Sequence, residues 1–401
     1  MHHINRLVLN FPGFETTGAI HQIERLSAGA EKTSSLWGFK TARGDAKSTP
    51  DGTKTVAEFE STGEGWSAST RFVQFSWSDI IEKYENESYP QSLFHNFPKY
   101  FSFFLDKSVR KYREASLRYW GFTIYPILMM VAFAIVSWFA VSALFSLIFP
   151  GVELHWLFQA FTAFGLFLVL CKWPGDLAYM NLSVNDWGFA RDMVSGSNPE
   201  IEKRYEIFAS QVIREITSSS HDEIIIVGHS FGSVWAVAAL ANALEKKPKL
   251  LRGKRVTFLA LGSSLLKIAL VRRAKKFRVW VRHVVGLDNL VWHEIQTKTD
   301  FISFYKSDPF EPIETFNTAE DIAADVIVHR VNFRKALGKR RLKKMRRSMY
   351  LAHRQYILYM DNRVHFDFQL RLFGPFYADQ LARDTELTVN HDYLPQASNK
   401  E

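Results

Sequence analysis

A chain of 401 residues, 47% of them hydrophobic, has room for a substantial core, and its length suits either two or three ordinary domains or one α/β domain carrying a large insertion. The formal charge of +9 falls in local clusters, so position along the chain says more than the total. A single cysteine, Cys171, excludes an intrachain disulfide framework and disfavours a thiolate metal site.

The opening stretch MHHINRLVLNFP holds too short an apolar run for a secretory signal, and Arg6 to Phe11 reads as a buried strand. His2 and His3, a pair at the start of the chain, read as incidental and not as metal ligands. Pro12, Gly13, Phe14 and Glu15 end the strand and lead into a helix over residues 18–33. The polar, glycine-rich stretch from Thr41 to Gly65 predicts an exposed connection or a small hairpin. Phe72, Val73 and Phe75 resume a strand pattern, and Trp77 to Ile81 turns the chain out of the sheet.

Two apolar stretches follow, with spans expected near 122–149 and 154–171 and a tiny turn at Gly151, Val152 and Glu153 between them. The first is longer than the roughly 20 residues that cross a bilayer, and the second is near the minimum, so a re-entrant second segment is an alternative. Lys107, Arg110, Lys111, Arg113 and Arg118 precede the pair and Lys172 follows it, which places both ends on the cytosolic side. Trp120, Trp156 and Trp173 suit interfacial depths, whereas Trp138 falls mid-span and is expected to pack between the helices. A buried hairpin within a soluble protein is the competing reading.

Beyond the spans, Asn198 caps a helix that opens with Pro199 and Glu200. Then EIIIVGHSFGSVWAVAALANAL passes from a β-branched run to helical spacing across His229 to Phe231. Further strands are expected at Val256 to Leu261 and Leu290 to Gln296, which together make the wiring of an α/β sheet.

Gly228, His229, Ser230, Phe231 and Gly232 form G-x-S-x-G between that strand and helix, a turn that projects the Ser230 hydroxyl as a nucleophile. The Phe231 amide, with Gly13 and Phe14 after the first strand, are candidate donors to a developing oxyanion, although Gly13 also reads as a plain turn residue. A general base is expected later in the chain. His353 is the first choice and His365 the alternate, while His229 points away from the nucleophile and packs or hydrogen-bonds locally. Asp300, at a strand end, is the first choice for the orienting acid, and Asp308 is its rival unless it merely caps the turn before Pro309.

The Phe11-Pro12-Gly13-Phe14 loop, the Gly-His-Ser-Phe-Gly elbow and the later Asp and His positions together resemble the α/β-hydrolase superfamily, its esterase and lipase-like branches in particular. Bacterial integral-membrane members with an embedded hairpin are the nearest in organisation. The resemblance implies an α/β-hydrolase sheet with an inserted two-helix transmembrane hairpin. Residues 1–105 and 176–401 would then be the two parts of the hydrolase domain, and 106–175 the membrane-associated insertion. It also implies serine attack on an acyl carbonyl and hydrolysis of the resulting acyl-enzyme. The expected activity is cleavage of a carboxylic ester, a lipid among the candidates, at the cytoplasmic face of a bacterial inner membrane. Thioester hydrolysis and acyl transfer would use the same groups, and a catalytically inactive membrane scaffold that keeps the fold is the non-enzymatic alternative.

Basic residues interleaved with apolar ones at Arg272 to Arg282 and Arg334 to Arg347 suit an anionic membrane surface, and the stretch near 322–349 reads as an interfacial or lid segment. Membrane lipids and an acyl-ester substrate are therefore the expected partners. Nucleic acid is disfavoured because no recognition module accompanies the basic runs. No glycine-rich phosphate loop or dinucleotide fingerprint calls for a cofactor, and His2, His3, His353 and His365 make no compact metal motif.

Overall fold

The computed structural model describes residues 2–149, 156–218, 220–314, 316 and 321–388. The turn expected at Gly151 to Glu153 and the start of the 154–171 stretch lie outside the described residues. Among the described residues nine strands form one sheet: β1 (His2–Phe11), β2 (Lys40–Arg43), β3 (Lys47–Ser48), β4 (Lys54–Gly63), β5 (Trp66–Phe75), β6 (Glu223–His229), β7 (Val256–Leu261), β8 (Leu290–Thr297) and β9 (Asp325–Val331). The order is β2-β4-β5-β1-β6-β7-β8-β9, with β3 paired to β4. From β5 through β1, β6, β7 and β8 to β9 every pairing is parallel, while β2, β3, β4 and β5 meet antiparallel.

A parallel sheet is covered on both faces, and its strands are apolar on both. In β1, Leu7, Leu9 and Phe11 enter one core, whereas Ile4 and Val8 enter the other, as the two-residue period of a strand requires. Every residue of β6 is buried. At the start of these central strands the fully buried Arg6 pairs with Glu223 at 2.5 Å and donates to the carbonyls of Leu372 and Phe376. Glu223 also accepts from the Ala378 N–H, so the C-terminal helices are tied to β1 and β6 by charge-assisted hydrogen bonds.

One stretch departs from expectation. Thr41 to Gly65 is not an exposed connection: it contributes most of β2 and all of β3 and β4, and in β4 Ala57, Phe59 and Ser61 face inward while Glu58, Glu60 and Thr62 face out. Its polarity belongs to the solvent face of an antiparallel strand. The 322–349 stretch opens with β9, followed by helices Phe333–Ala336 and Lys339–Met345 whose Phe333 and Met345 are buried in the second core.

Between β5 and β6 the chain forms two adjacent long apolar helices, Leu117–Ile148 and Trp156–Leu177, consistent with an inserted hairpin. At 1.5 Å per residue they run about 48 and 33 Å. Only 11% of the most apolar window of each is buried, so most of the apolar surface of the two helices is not covered by the α/β body. Trp138 is 43% exposed and does not pack between the helices as expected. Gln159 donates to Ser142 across the pair, and Phe145 meets Phe158 edge to face at 5.7 Å. The first helix is rooted in the α/β body: Tyr119 and Phe122 are buried, and Tyr119 stacks on Phe304 at 3.8 Å.

Candidate active site

Ser230 follows β6 with φ at 55°, a left-handed conformation that a non-glycine residue adopts only when its surroundings enforce it. Here the enforcing contacts come from β7 and beyond. The Ser230 N–H donates to Leu261 O at 3.1 Å, and the Ser230 carbonyl accepts from the N–H groups of Ser233 and Ser264. The flanking glycines have steric reasons: a Cβ at Gly232 would fall 1.8 Å from Phe11 O, and one at Gly228 would fall 2.5 Å from Ser233 Cα. The turn is therefore pressed against β1 on one side and against its own helix, Gly232–Lys246, on the other.

Asp300 lies just beyond β8 and is fully buried; its Oδ2 is 2.8 Å from His353 Nδ1 and its Oδ1 accepts from the Ile302 N–H. Burial alone would raise its pKa, but the His353 charge and hydrogen bond together with the Ile302 amide outweigh burial, and the carboxyl is held below its usual range. His353 belongs to the short helix Met349–Arg354. Its other nitrogen, Nε2, is buried without a hydrogen-bond partner among the described residues. Gly262, at the end of β7, lies against both groups: a Cβ there would be 3.1 Å from Asp300 Oδ2 and 3.2 Å from His353 Cε1.

His229 reaches further than the local packing or hydrogen bonding expected of it. Its Nε2 is 3.0 Å from the His353 carbonyl, which as a pure acceptor calls for Nε2–H, and the two rings lie 4.9 Å apart. Burial first, and the neighbouring His353 charge second, push its pKa down to about 3, so the ring is neutral near pH 7 and clamps the backbone that carries His353. Gly13 lies against the same turn: a Cβ there would be 3.1 Å from Ser230 Cβ and 2.9 Å from His229 Nδ1. The Phe14 ring packs against Phe231, Phe189 and Trp77. No hydrogen bond from the Gly13 or Phe231 N–H occurs among the described residues, which leaves both donors available beside Ser230.

The alternates lie elsewhere. Asp308 Oδ1 accepts from the N–H groups of Phe310 and Glu311, the work of a turn cap. The His365 ring is 5.5 Å from His329 and has its pKa pushed down to about 4, by burial first and then by the Arg371 charge. Neither is joined to the Asp300–His353 pair. His2 and His3 are both exposed, and no grouping of three or more metal-ligating side chains occurs among the described residues.

Sequence reasoning passed over two groups near the nucleophile. Ser264 Oγ is 3.3 Å from Ser230 Oγ. Lys267, buried in the helix after β7, sets its Nζ 2.5 Å from Asp186 Oδ2 and over the rings of Trp187 and Phe231, at 4.0 and 4.8 Å. Burial disfavours both charges of this pair, lowering the lysine pKa and raising that of the aspartate, while their mutual attraction opposes the shift. No local pattern signals either group, because their partners come from distant segments.

Comparison with family models, with curated proteins and with solved structures found no match for this chain.

Proposed function

We propose that the protein is a membrane-anchored serine hydrolase that cleaves a carboxylic ester, a lipid or another membrane-partitioned ester, through an acyl-enzyme on Ser230. The observation that carries this reading is the buried Asp300–His353 pair, whose unpartnered Nε2 belongs to a histidine clamped to the turn that holds Ser230 in a left-handed conformation. The overall architecture resembles the α/β-hydrolase class broadly, which agrees with this assignment.

In the proposed reaction, Ser230 Oγ attacks the acyl carbonyl carbon as its proton passes to His353 Nε2. The carbonyl π electrons move onto oxygen, where the N–H groups of Phe231 and of Gly13 or Phe14 receive the charge. Collapse expels the alcohol, which takes its proton from His353. Water then attacks the acyl-enzyme with the same histidine as base, and Ser230 is regenerated. Asp300 holds Nδ1 protonated and stabilises the imidazolium. Ser230 is 6% exposed and its hydroxyl faces Ser264, so substrate entry requires the hydroxyl to turn and the site to open.

The hairpin serves as the anchor. Both helices exceed the ~30 Å hydrocarbon thickness and present apolar side chains outward, including Leu128, Ile135, Phe139, Phe161 and Phe164. The basic residues at the base of the hairpin orient the catalytic body toward the cytoplasm of a bacterial cell. A fluorophosphonate probe should label the wild-type protein in detergent, and Ser230→Ala should abolish labelling and ester turnover. Asp300→Asn should slow labelling by roughly 10²- to 10⁴-fold, with Asp308→Asn near the wild-type rate. Undiminished labelling of the Ser230→Ala protein would refute the assignment.

A further inference from the structure

At the foot of the hairpin, beside the Asp300–His353 pair, the structure contains a cavity of about 690 Å³. Its lining includes the cations Arg118, Lys298, Arg330, Arg334, Arg346 and Arg347 and, among the described residues, no acidic one. None of these six forms an ion pair among the described residues. Elsewhere in the molecule basic side chains find carboxylates readily, as Arg341 does with Asp361 and Arg191 with Asp106. Like charges gathered around one concavity repel one another, and an anion in their midst relieves that repulsion.

The cavity is also amphiphilic. Buried Val331, Met345 and Ala352 form apolar parts of the wall, and Phe301 stands 49% exposed beside them. Arg118 fixes its place along the hairpin. It lies in the first turn of the helix Leu117–Ile148, donates to the Lys298 carbonyl and spreads over the rings of Phe301 and Tyr305 at 5.4 and 5.3 Å. Leu117 beside it is 65% exposed, and ten residues further along that helix, about 15 Å, Leu128 opens the run of exposed apolar side chains that continues through Val131, Ile135 and Phe139. With the hairpin in a bilayer, this distance puts the cavity at the level of the lipid head groups.

We infer that this cavity binds the phosphate head of an anionic membrane amphiphile, with guanidinium groups on the phosphate oxygens and the start of the acyl or glycerol portion against Phe301, Val331 and Met345. Guanidinium forks match a phosphate in two-point hydrogen bonding, which suits arginine to this task better than lysine. Neither Ser230 nor His353 lines the cavity. The inference therefore rests on the membrane reading of the hairpin and not on ester cleavage.

The test uses the Ser230→Ala protein in neutral detergent, so that no probe is consumed and failure of the hydrolase reading leaves the result interpretable. Thermal unfolding is followed while phosphatidylglycerol, phosphatidylcholine or inorganic phosphate is added. Phosphatidylglycerol should raise the unfolding midpoint saturably. Arg346→Gln with Arg347→Gln, both exposed positions, should weaken half-saturation about tenfold or more. Arg272→Gln with Arg273→Gln, a basic pair outside this cavity, should leave half-saturation unchanged. Equal stabilisation by phosphatidylcholine, or equal weakening in the Arg272 and Arg273 control, would overturn the inference. Full stabilisation by inorganic phosphate alone would overturn the amphiphile assignment in favour of a free oxyanion.

Discussion

Gly262 offers a way to move the Asp300–His353 pair without altering either residue. It has φ at 52°, and a Cβ there would meet Tyr356 Cε2 at 2.7 Å, Asp300 Oδ2 at 3.1 Å and His353 Cε1 at 3.2 Å. Carbon atoms in contact rest at about 3.5–4.0 Å, so Gly262→Ala has to drive the Tyr356 ring away by about 1 Å. That ring is buried, and its hydroxyl accepts from the Thr297 N–H at the end of β8, three residues before Asp300. A misplacement of about 1 Å in a catalytic group costs roughly 10²-fold in rate, which is the expected fall in fluorophosphonate labelling of Ser230. The left-handed backbone adds an alanine penalty of about 1 kcal/mol. Gly253 separates the two effects: its φ is 71°, yet a Cβ there meets nothing within 4 Å. Gly253→Ala should share the backbone penalty and label at the wild-type rate. If Gly262→Ala labels as fast as Gly253→Ala, the chemistry at Ser230 does not depend on where this pair stands.

Two further predictions concern stability. His229 has its folded pKa at about 3, well below the ordinary 6.5, so between those values the unfolded chain binds more protons than the native one and stability must fall as pH is lowered. From pH 6.5 to 5 this amounts to about 2 kcal/mol from His229 alone. His365, half-buried, adds a smaller share of the same sign. Denaturant unfolding at the two pH values measures the sum, and a flat profile would contradict the neutral, buried assignment of His229. For the Lys267–Asp186 pair, Lys267→Met strands a buried carboxylate and should cost about 3–5 kcal/mol. Adding Asp186→Leu should restore most of that loss in the same unfolding assay; no restoration would show that the pair does not act as a unit.

Much of the architecture was written locally. The continuous apolar run of β6, the change of period across His229 to Phe231 and the long uncharged stretches can each be read within a window of one element, because each depends on neighbours a few residues away. The polar faces of β4 and the partly exposed β9 were harder to read. Glycines and charges obscured an alternation whose meaning depends on which face is solvated.

Alternation and spacing along the chain thus specified the strand, turn and helix around Ser230 and the two long apolar segments, since backbone sterics and hydrophobic period act at short range. Which acid meets which histidine belonged to tertiary structure. Asp300 meets His353 at a sequence separation of 53, Lys267 meets Asp186 at a separation of 81, and the basic cavity gathers side chains from the hairpin base, the end of β8, β9 and the helices after it. Such meetings are set by sheet register and by how helices pack over it, and a linear pattern carries no record of either.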